Sequence, residues 1–403
     1  MPSFRDATRQ RQSLPNPTPL TISAPETGGS RQGSWLTSNA RFSLRQRLRR
    51  SLVDLFEYAN SLNFGEVHFK TDAATGLQAI VAIHNLQEGP AIGGCRFIEY
   101  PSTAEATRDA LRLGRGMTYK AAISNLPHGG GKAVIMRPKN LSEEQRERLF
   151  EEFGRFVDSL GGRYITCEDS GTNVNDINVA HRFTEHVLGY DPDAGSSGDP
   201  SPVTAYGVRR GIEAAVKFKL GRDSLDGVHI AVQGLGAVGF CLARELHELG
   251  ATLTVADINP AAVERGVNEL GATAVSVDAI HAVACDIYAP CALGGAINDT
   301  TLAGLQCKIV AGAANNQLLE NRHGLELHRR GILYAPDYAI NAGGLINVAQ
   351  EFVGYDRERA MAKTSEIYET MLAIFDRAGS EDLPTDVIAD RIVEEKIFGK
   401  ALR

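Results

Sequence analysis

The sequence predicts an α/β protein of two domains, in which a mixed-sheet α/β domain is followed by a doubly wound parallel sheet of the Rossmann type. After residue 202, strand-like and helix-like segments alternate strictly, whereas the preceding half mixes neighbouring strands with helices. Residues 195–202, Gly-Ser-Ser-Gly-Asp-Pro-Ser-Pro, have the composition of a linker. The predicted domains therefore cover residues 42–200 and 201–345, and helices over about 346–403 are expected to pack back and complete the first domain.

Individual elements follow from apolar periodicity and turn residues. In the first domain the pattern predicts helices over 52–59, 102–116 and 142–160, and strands over 67–69, 77–83, 133–136 and 164–166. Ser102 is the predicted N-cap of the second helix, and Thr75-Gly76 predicts an antiparallel pairing of the first two strands. In the second domain the predicted strands cover 228–233, 252–256, 287–290 and 309–311, and helices cover 237–249 and 260–270.

Residues 1–41 are predicted to be a disordered extension, because Pro, Ser, Thr, Gly and Gln dominate them without apolar periodicity. Residues 1–50 also contain nine arginines and no lysine. That bias fits a transit-like segment or an upstream start codon equally well.

Composition excludes several classes of protein. A net charge of −7 argues against nucleic-acid binding, and no apolar run approaches the roughly 20 residues of a membrane helix. The six cysteines form no pattern with metal-ligand spacing, so no metal site is expected. Reduced thiols are expected instead, which favours the cytoplasm.

A glycine-rich turn predicts a dinucleotide site. The segment Gly234, Leu235, Gly236, Ala237, Val238, Gly239 follows a predicted strand and opens a predicted helix. The glycines suit a tight turn, close approach to a pyrophosphate and helix–strand packing. Asp257, at the end of the next strand, would bind the ribose hydroxyls and repel a 2′-phosphate. The predicted cofactor is therefore NAD rather than NADP.

Two lysines twelve residues apart stand in apolar, glycine-rich contexts. Lys120 closes Gly-Met-Thr-Tyr-Lys, and Lys132 follows three glycines and precedes Ala-Val-Ile. Such a lysine is expected at the mouth of a strand, where loss of water lowers its pKa enough for catalysis. A solvated surface charge is the alternative. The segment is not a phosphate-binding P-loop, because Leu126 and Ala133 replace the required Gly and Ser or Thr.

Further motifs are Gly-Pro-Ala-Ile-Gly-Gly (89–94), Met-Thr-Tyr-Lys (117–120), Gly-Gly-Gly-Lys (129–132), Glu-Asp-Ser-Gly-Thr (168–172), Pro-Val-Thr-Ala-Tyr-Gly (202–207), Ala-Ala-Asn-Asn-Gln (313–317) and Asn-Ala-Gly-Gly-Leu-Ile-Asn (341–347). Through this set the sequence resembles the glutamate, leucine, phenylalanine and valine dehydrogenase superfamily, and within it the leucine dehydrogenases. The resemblance runs from about residue 55 to the final helices.

The resemblance implies reversible, NAD-dependent oxidative deamination of an L-amino acid to a 2-oxo acid and ammonia. It assigns Lys120, with the backbone at Gly93 and Gly94, to the substrate carboxylate. Lys132, with a lowered pKa, would activate water, and Asp169 would exchange protons with the amine. Met117 would line the substrate site, and the residues expected near the nicotinamide are Thr204, Ala313, Ala314, Asn315 and Asn341.

Simpler roles remain open for two of these residues. Asp169 would also suit a helix N-cap, and Asn341 would suit a turn.

The same resemblance defines a side-chain pocket. Ile92 and Val348 stand where glutamate-specific relatives carry a lysine and a serine, so the substrate should be apolar. Cys167, Leu188 and Leu345 match other pocket positions. Branched-chain specificity is predicted, with an aromatic amino acid as the alternative because phenylalanine dehydrogenases commonly carry Leu at the position of Leu345.

Partners follow from the same resemblance. It implies a homo-oligomer that assembles through the first domain, with octamers typical of leucine dehydrogenases. The only other predicted partner is the small-molecule substrate. A non-catalytic NAD-binding regulator is the alternative from another class, and the presence of Lys120, Lys132 and Asp169 together argues against it.

Overall fold

A computed structural model describes residues 54–399 apart from residues 192 and 194. The predicted extension over 1–41 lies outside this range. The described strands are β1 Glu66–Asp72, β2 Leu77–Asn85, β3 Ala91–Ile98, β4 Gly129–Met136, β5 Tyr164–Glu168, β6 His229–Gln233, β7 Thr252–Ala256, β8 Thr273–Ala274, β9 Ile287–Pro290, β10 Ile309–Val310 and β11 Leu333–Tyr334.

The described α-helices are α1 Leu55–Ser61, α2 Thr103–Ile123, α3 Glu143–Ser159, α4 Val174–His181, α5 Ser201–Leu220, α6 Ala237–Glu248, α7 Pro260–Leu270, α8 Asp299–Gly304, α9 Arg322–Arg329, α10 Asp337–Ile340, α11 Gly343–Ala349, α12 Arg357–Ser365, α13 Ile367–Glu381 and α14 Thr385–Ile397. Short 3₁₀ helices cover Ile280–Ala282 and Gln350–Val353. Within the described range, no helix is both long and apolar enough to cross a membrane.

Two sheets organise the chain. The first has the order β1-β2-β4-β3-β5, with β1 and β4 antiparallel to β2, and with β3 parallel to β4 and β5. The second has the order β11-β10-β9-β6-β7-β8 and is parallel throughout. The predicted fold class, a mixed-sheet domain and a doubly wound parallel domain, is confirmed.

The predicted hairpin is also confirmed. Strands β1 and β2 pair in antiparallel register from Glu66 opposite Ile83 to Asp72 opposite Leu77. Gly76 in the turn has a φ of 76°, a left-handed conformation that glycine adopts without steric cost.

Helix α2 is longer than its sequence pattern predicts. The predicted end at residue 116 is wrong, because the helix continues to Ile123. Gly114 and Gly116 weaken a helix locally by about 1 kcal/mol each. However, burial of Tyr119, Ala121 and other residues of the last two turns outweighs that local preference.

This extension changes the setting of both lysines. Lys120 lies in the last turn of α2, and Lys132 lies inside strand β4 rather than at its mouth.

Glycines let α2 and the strands of the first sheet approach unusually closely. A Cβ added at Gly130 would lie 2.0 Å from the backbone nitrogen of Thr118, and one at Gly93 would lie 1.8 Å from the carbonyl oxygen of Gly131. Any side chain at these positions would force the backbones apart. The contact holds the end of α2 directly over β4, which brings Lys120 close to Lys132.

The C-terminal helices connect the two halves of the fold. On α5, Phe218 packs against Phe375 of α13 with ring centroids 5.5 Å apart. Helix α14 reaches α2, where the Tyr119 hydroxyl donates to Glu394 at 2.9 Å and the Lys396 ammonium donates to the Ala122 carbonyl at 2.8 Å. The end of α2 is therefore braced from both sides.

Gly154 provides a test of packing between α3 and α4. An added Cβ would lie 2.5 Å from the carbonyl oxygen of Ala180, so Gly154→Ala should lower the free energy of unfolding by about 1–3 kcal/mol. Gly379→Ala is the matched control at an exposed position of α13, where the added Cβ would make an ordinary 3.6 Å contact with Phe218. It should stabilise by about 0.5–1 kcal/mol. Chemical denaturation of both variants measures the difference, and equal stabilities would contradict the packing.

Candidate active site

Three charged side chains meet where β3, β4 and β5 lie side by side. The Lys132 ammonium, which is buried in β4, lies 3.0 Å from Oδ2 of Asp169. The Arg96 Nε of β3 lies 3.0 Å from the same oxygen. Asp169 directly follows β5. The parallel alignment of β3 with both neighbours therefore brings residues from three separate motifs into one cluster.

Asp169 is held as an ionised carboxylate. Burial by itself raises the pKa of this carboxyl, but Lys132 and Arg96 together bring the pKa below its usual range. Its backbone is fixed as well, because the Asp169 amide donates to the Thr172 hydroxyl at 2.9 Å. Asp169 is not in an N-cap role in the described chain, since the following helix α4 is capped by Asn173.

Lys120 faces the same cleft from the last turn of α2. Its ammonium donates to Oδ1 of Asn315 at 3.4 Å. Burial lowers the pKa of Lys120 to about 8, although the carboxylates of Asp337 and Asp169 act in the opposite direction. The resemblance assigns Lys120 to the substrate carboxylate, a role that requires a charged ammonium, yet Lys120 has a clearly lowered pKa. At neutral pH it is still mostly protonated.

On the facing side of the cleft, two asparagines form a small network. The Asn341 side-chain amide donates to Oδ1 of Asn315 at 2.7 Å and to the carbonyl oxygen of Ala313 at 3.0 Å. Ala314 is buried in the same turn. Asn341 is itself buried, and its Oδ1 has no hydrogen-bond partner among the described residues. A buried amide oxygen without a donor is costly, so this atom is suited to accept a bond from a ligand.

Thr204 lies close to this network. Its hydroxyl donates to the carbonyl oxygen of Pro200 at 2.9 Å, and a Cβ added at Gly344 would lie 2.8 Å from that hydroxyl. The N-terminal turn of α5 and the N-terminal turn of α11 are therefore in direct contact beside Asn341.

The glycine-rich turn has the geometry that its sequence predicts. Gly234 has a φ of 98°, and a Cβ at Gly239 would lie 2.0 Å from the carbonyl oxygen of Gly234. A Cβ at Gly236 would have open space around it. Helix α6 begins at Ala237, followed by Val238, and no side chain caps its first amides. The turn therefore leaves free amides at a helix N-terminus, where a pyrophosphate is stabilised.

Asp257 is already bonded to this turn. Its carboxylate accepts from the Leu235 amide at 2.6 Å and from the Asn259 amide at 2.7 Å. These contacts fix the carboxylate at the end of β7, beside the glycines, with lone pairs left for a ribose hydroxyl. The turn and Asp257 fit the adenosine half of a nicotinamide dinucleotide. The Oδ1 atom of Asn341 fits an amide donor on the nicotinamide half.

The predicted pocket residues come together in one apolar cluster. Its buried members include Ile92, Leu188, Leu345 and Val348, and Met117 and Cys167 pack against it half-buried. Burial raises the pKa of the Cys167 thiol to about 12, so this thiol is neutral. Gly94 lies at the edge of the pocket, against Asp169.

Sequence reasoning did not identify Arg96, Asp109 or Thr172. The signal for Arg96 was its spacing, since it stands two residues after Gly94 on a strand and so points to the same face as Gly94. Asp109 lies on α2, 13 residues after Arg96, and only the packing of α2 on the sheet brings the two side chains together. Thr172 acts through its hydroxyl on the loop backbone, which no spacing rule predicts.

Fold and site define the class of protein, a two-domain amino-acid dehydrogenase with a nicotinamide-dinucleotide cofactor. Residues 63–186 match the family model of the Glu/Leu/Phe/Val dehydrogenase dimerisation domain, and residues 260–382 match that of Glutamate/Leucine/Phenylalanine/Valine dehydrogenase. The chain belongs to this family.

Named relatives give the same result. A leucine dehydrogenase of Geobacillus stearothermophilus is 52% identical over 345 residues, which are 86% of this chain and 94% of the relative. A phenylalanine dehydrogenase of Thermoactinomyces intermedius is 45% identical over 347 residues, which are 85% of this chain and 94% of the relative. The crystal structure of L-tryptophan dehydrogenase from Nostoc punctiforme superposes with a TM-score of 0.74 at 44% identity, over 85% of this chain and 98% of that one.

Gly94 tests whether activity depends on the placement of Asp169. A Cβ at Gly94 would lie 2.7 Å from the Cβ of Asp169 and 2.6 Å from the carbonyl oxygen of Glu168. Gly94→Ala should therefore displace Asp169 and lower kcat about tenfold or more. Gly65→Ala is the control, because its Cβ would make only ordinary 3.7 Å contacts. Initial rates of the two folded variants decide the matter, and near-equal kcat values would be evidence against this dependence.

Proposed function

We propose that this enzyme catalyses the reversible, NAD-dependent oxidative deamination of L-leucine and other branched-chain L-amino acids to 2-oxo acids and ammonia. One observation carries the proposal. Lys120, Lys132 and Asp169 converge at one site, and the residues predicted to line the side-chain pocket are apolar or neutral and belong to, or pack against, one hydrophobic cluster. Relatives named leucine dehydrogenase at about half identity support the same substrate class.

The proposed role of Lys120 is to bind the substrate carboxylate. Its ammonium is a point charge in the last turn of α2, and Gly93 and Gly94 are buried in β3. A carboxylate beside a partly desolvated ammonium gains a charge-assisted hydrogen bond and raises the pKa of the lysine in return. Lys120 would therefore be fully charged in the substrate complex.

The proposed role of Lys132 is that of the base which activates water for attack on the imino carbon. Asp169, 3.0 Å from the Lys132 ammonium, would exchange protons with the substrate amine. An ionised carboxylate next to the lysine can receive a proton as the amine loses one and return it as ammonia leaves. Both assignments stay predictions.

NAD is the proposed cofactor, and when bound it accepts hydride from the substrate α-carbon. The residues that would hold it are Gly234–Gly239 with the first amides of α6 for the pyrophosphate, Asp257 for the ribose, and Thr204 with Asn341 at the nicotinamide end. Asp257 favours NAD over NADP because its charge repels a 2′-phosphate. The exposed Ile258 that follows supplies no compensating cation.

The apolar pocket supports the choice among amino acids. A glutamate side chain would bury its carboxylate against Ile92 and Val348, which offer no hydrogen bond, at a cost of several kcal/mol. An aromatic substrate remains the second candidate, and Leu345 is the specific residue that favours it. One methylene of misfit in such a pocket changes discrimination by only about 1–3 kcal/mol.

Organisation beyond the site is proposed on the same basis. We propose domain boundaries near residues 200 and 345, on either side of the parallel sheet. A homo-oligomer is proposed because residues 63–186 match a dimerisation domain, and an octamer in particular because octamers are typical of the leucine dehydrogenases that the sequence resembles. A cytoplasmic location is proposed because the six cysteines are free thiols, as a reducing compartment maintains them.

A panel of amino acids tests the proposed reaction directly. Purified enzyme should reduce NAD with leucine, valine and isoleucine, with kcat/KM for leucine about tenfold or more above that for phenylalanine and for glutamate. NADP in place of NAD should lower the rate strongly. Formation of NADH at 340 nm measures each rate. Higher kcat/KM for phenylalanine would establish the aromatic alternative, and NADH binding without turnover would indicate a regulator.

The lowered pKa of Lys120 predicts a pH dependence of substrate binding. Only the protonated lysine attracts a carboxylate, and a pKa of about 8 means that the protonated fraction falls as the pH rises above 8. At saturating ammonium, the KM for the 2-oxo acid should rise up to about tenfold for each further pH unit, since the 2-oxo acid does not titrate there. The KM for NADH, measured in parallel, should not rise with pH in this way. A flat KM for the oxo acid up to pH 9.5 would contradict a carboxylate ligand with this lowered pKa.

A further inference from the structure

Arg96 is a buried arginine that the proposed mechanism does not yet use. It lies between two carboxylates, with Nε 3.0 Å from Oδ2 of Asp169 and a terminal nitrogen 2.8 Å from Oδ2 of Asp109. Asp109 also accepts from the Tyr100 hydroxyl at 2.7 Å. The chain of contacts therefore runs from Tyr100 through Asp109, Arg96 and Asp169 to Lys132.

Charges alternate along this chain, which explains why it can be buried. The carboxylates of Asp169 and Asp109 raise the pKa of Arg96 above its usual range, although burial acts against them. Arg96 is a permanent cation for this reason. Asp109 in turn has a lowered pKa because Tyr100 and Arg96 more than compensate for burial. Each buried charge thus has a hydrogen-bonded partner of opposite sign.

We propose that Arg96 is a positioning residue that keeps the Asp169 carboxylate ionised and in place while Lys132 releases and regains its proton. The proposal rests on the proposed function, because that function requires Lys132 to change its charge.

The need for a second cation follows from the geometry. Lys132 and Arg96 contact the same oxygen of Asp169. When Lys132 is neutral, its attraction for that carboxylate is lost, and a buried carboxylate without a cation readily takes up a proton. An arginine does not deprotonate in proteins, so its attraction persists throughout the cycle.

Other ionisable groups around Asp169 do not replace Arg96. Both neighbouring thiols are neutral, because burial raises the pKa of Cys167 to about 12 and also raises the pKa of Cys95. Lys120 also attracts Asp169, but its ammonium donates its hydrogen bond to Asn315 and does not hold the carboxylate in place. The nearby acids are Glu168 on β5 and Asp176 on α4, and they add only negative charge.

Three variants of the full-length enzyme test the proposal through the pH profile of kcat/KM for leucine. The acidic limb reports the group of the free enzyme that must lose a proton, here the coupled pair of Lys132 and Asp169. Arg96→Gln removes a cation and should move this limb to higher pH by about one unit, with a lower kcat and an unchanged KM for NAD. Asp109→Asn removes an anion from the other side of Arg96 and should move the limb to lower pH.

Arg112→Gln is the matched control. Arg112 contacts the same Asp109 at 3.1 Å from its exposed position but does not touch Asp169, so the limb should stay in place. A merely structural role for Arg96 would lower stability or rate without moving the limb in opposite directions in the two test variants.

The outcomes separate the two proposals. A wild-type enzyme without leucine dehydrogenase activity overturns the proposed function, and this inference with it. If the wild type is active but the acidic limb of Arg96→Gln is unmoved or shifted to lower pH, the inference alone is overturned. If Arg96→Gln does not fold, as judged by thermal unfolding and gel filtration, Asp109→Asn decides. A downward shift then supports the proposal, and an unmoved or upward-shifted limb overturns it.

Discussion

At Gly130 an added Cβ would lie 2.0 Å from the backbone nitrogen of Thr118, and the whole cleft depends on this close contact between α2 and β4. Side chains on a strand normally hold a packed helix away from its backbone, so the contact requires glycine on the strand. Similarly close contacts lie beside it in the sheet, between Gly93 and Gly131 and between Gly94 and Asp169. Lysines twelve residues apart, one on a helix and one on a strand, thereby lie at the same site.

The charges of the site add a second constraint. Lys132, Asp169, Arg96 and Asp109 are all largely buried, and any one of them alone would be expensive to remove from water. Alternation of sign along the row offsets that cost. Within this row Lys132 contacts a single carboxylate, that of Asp169, which also contacts Arg96. The arrangement thus compensates each buried charge with a partner of opposite sign.

Prediction from the sequence worked best where the signal is local. The turn at Gly234–Gly239 and Asp257 was foreseen because glycine conformation, strand and acid lie within one short segment. The end of α2 was wrong because long-range burial of Tyr119 and Ala121 overrode two helix-weakening glycines. Asp109 could not be linked to Asp169 from the sequence, since only the path of α2 over the sheet brings it to Arg96. The lowered pKa of Lys120 likewise depends on burial by distant elements.

The contact between Lys120 and Asn315 has a thermodynamic consequence. Asn315 accepts from Lys120 on one side of the cleft and from Asn341 on the other, so one amide oxygen joins the two halves of the site. A ligand that binds Lys120, or one that binds Asn341, changes the free energy of the hydrogen bonds that these residues share at Asn315. Linkage is reciprocal, so an amino acid at Lys120 and a dinucleotide at Asn341, bound as proposed above, would change each other's affinity by the same factor. The size of that mutual effect would then depend on a single asparagine.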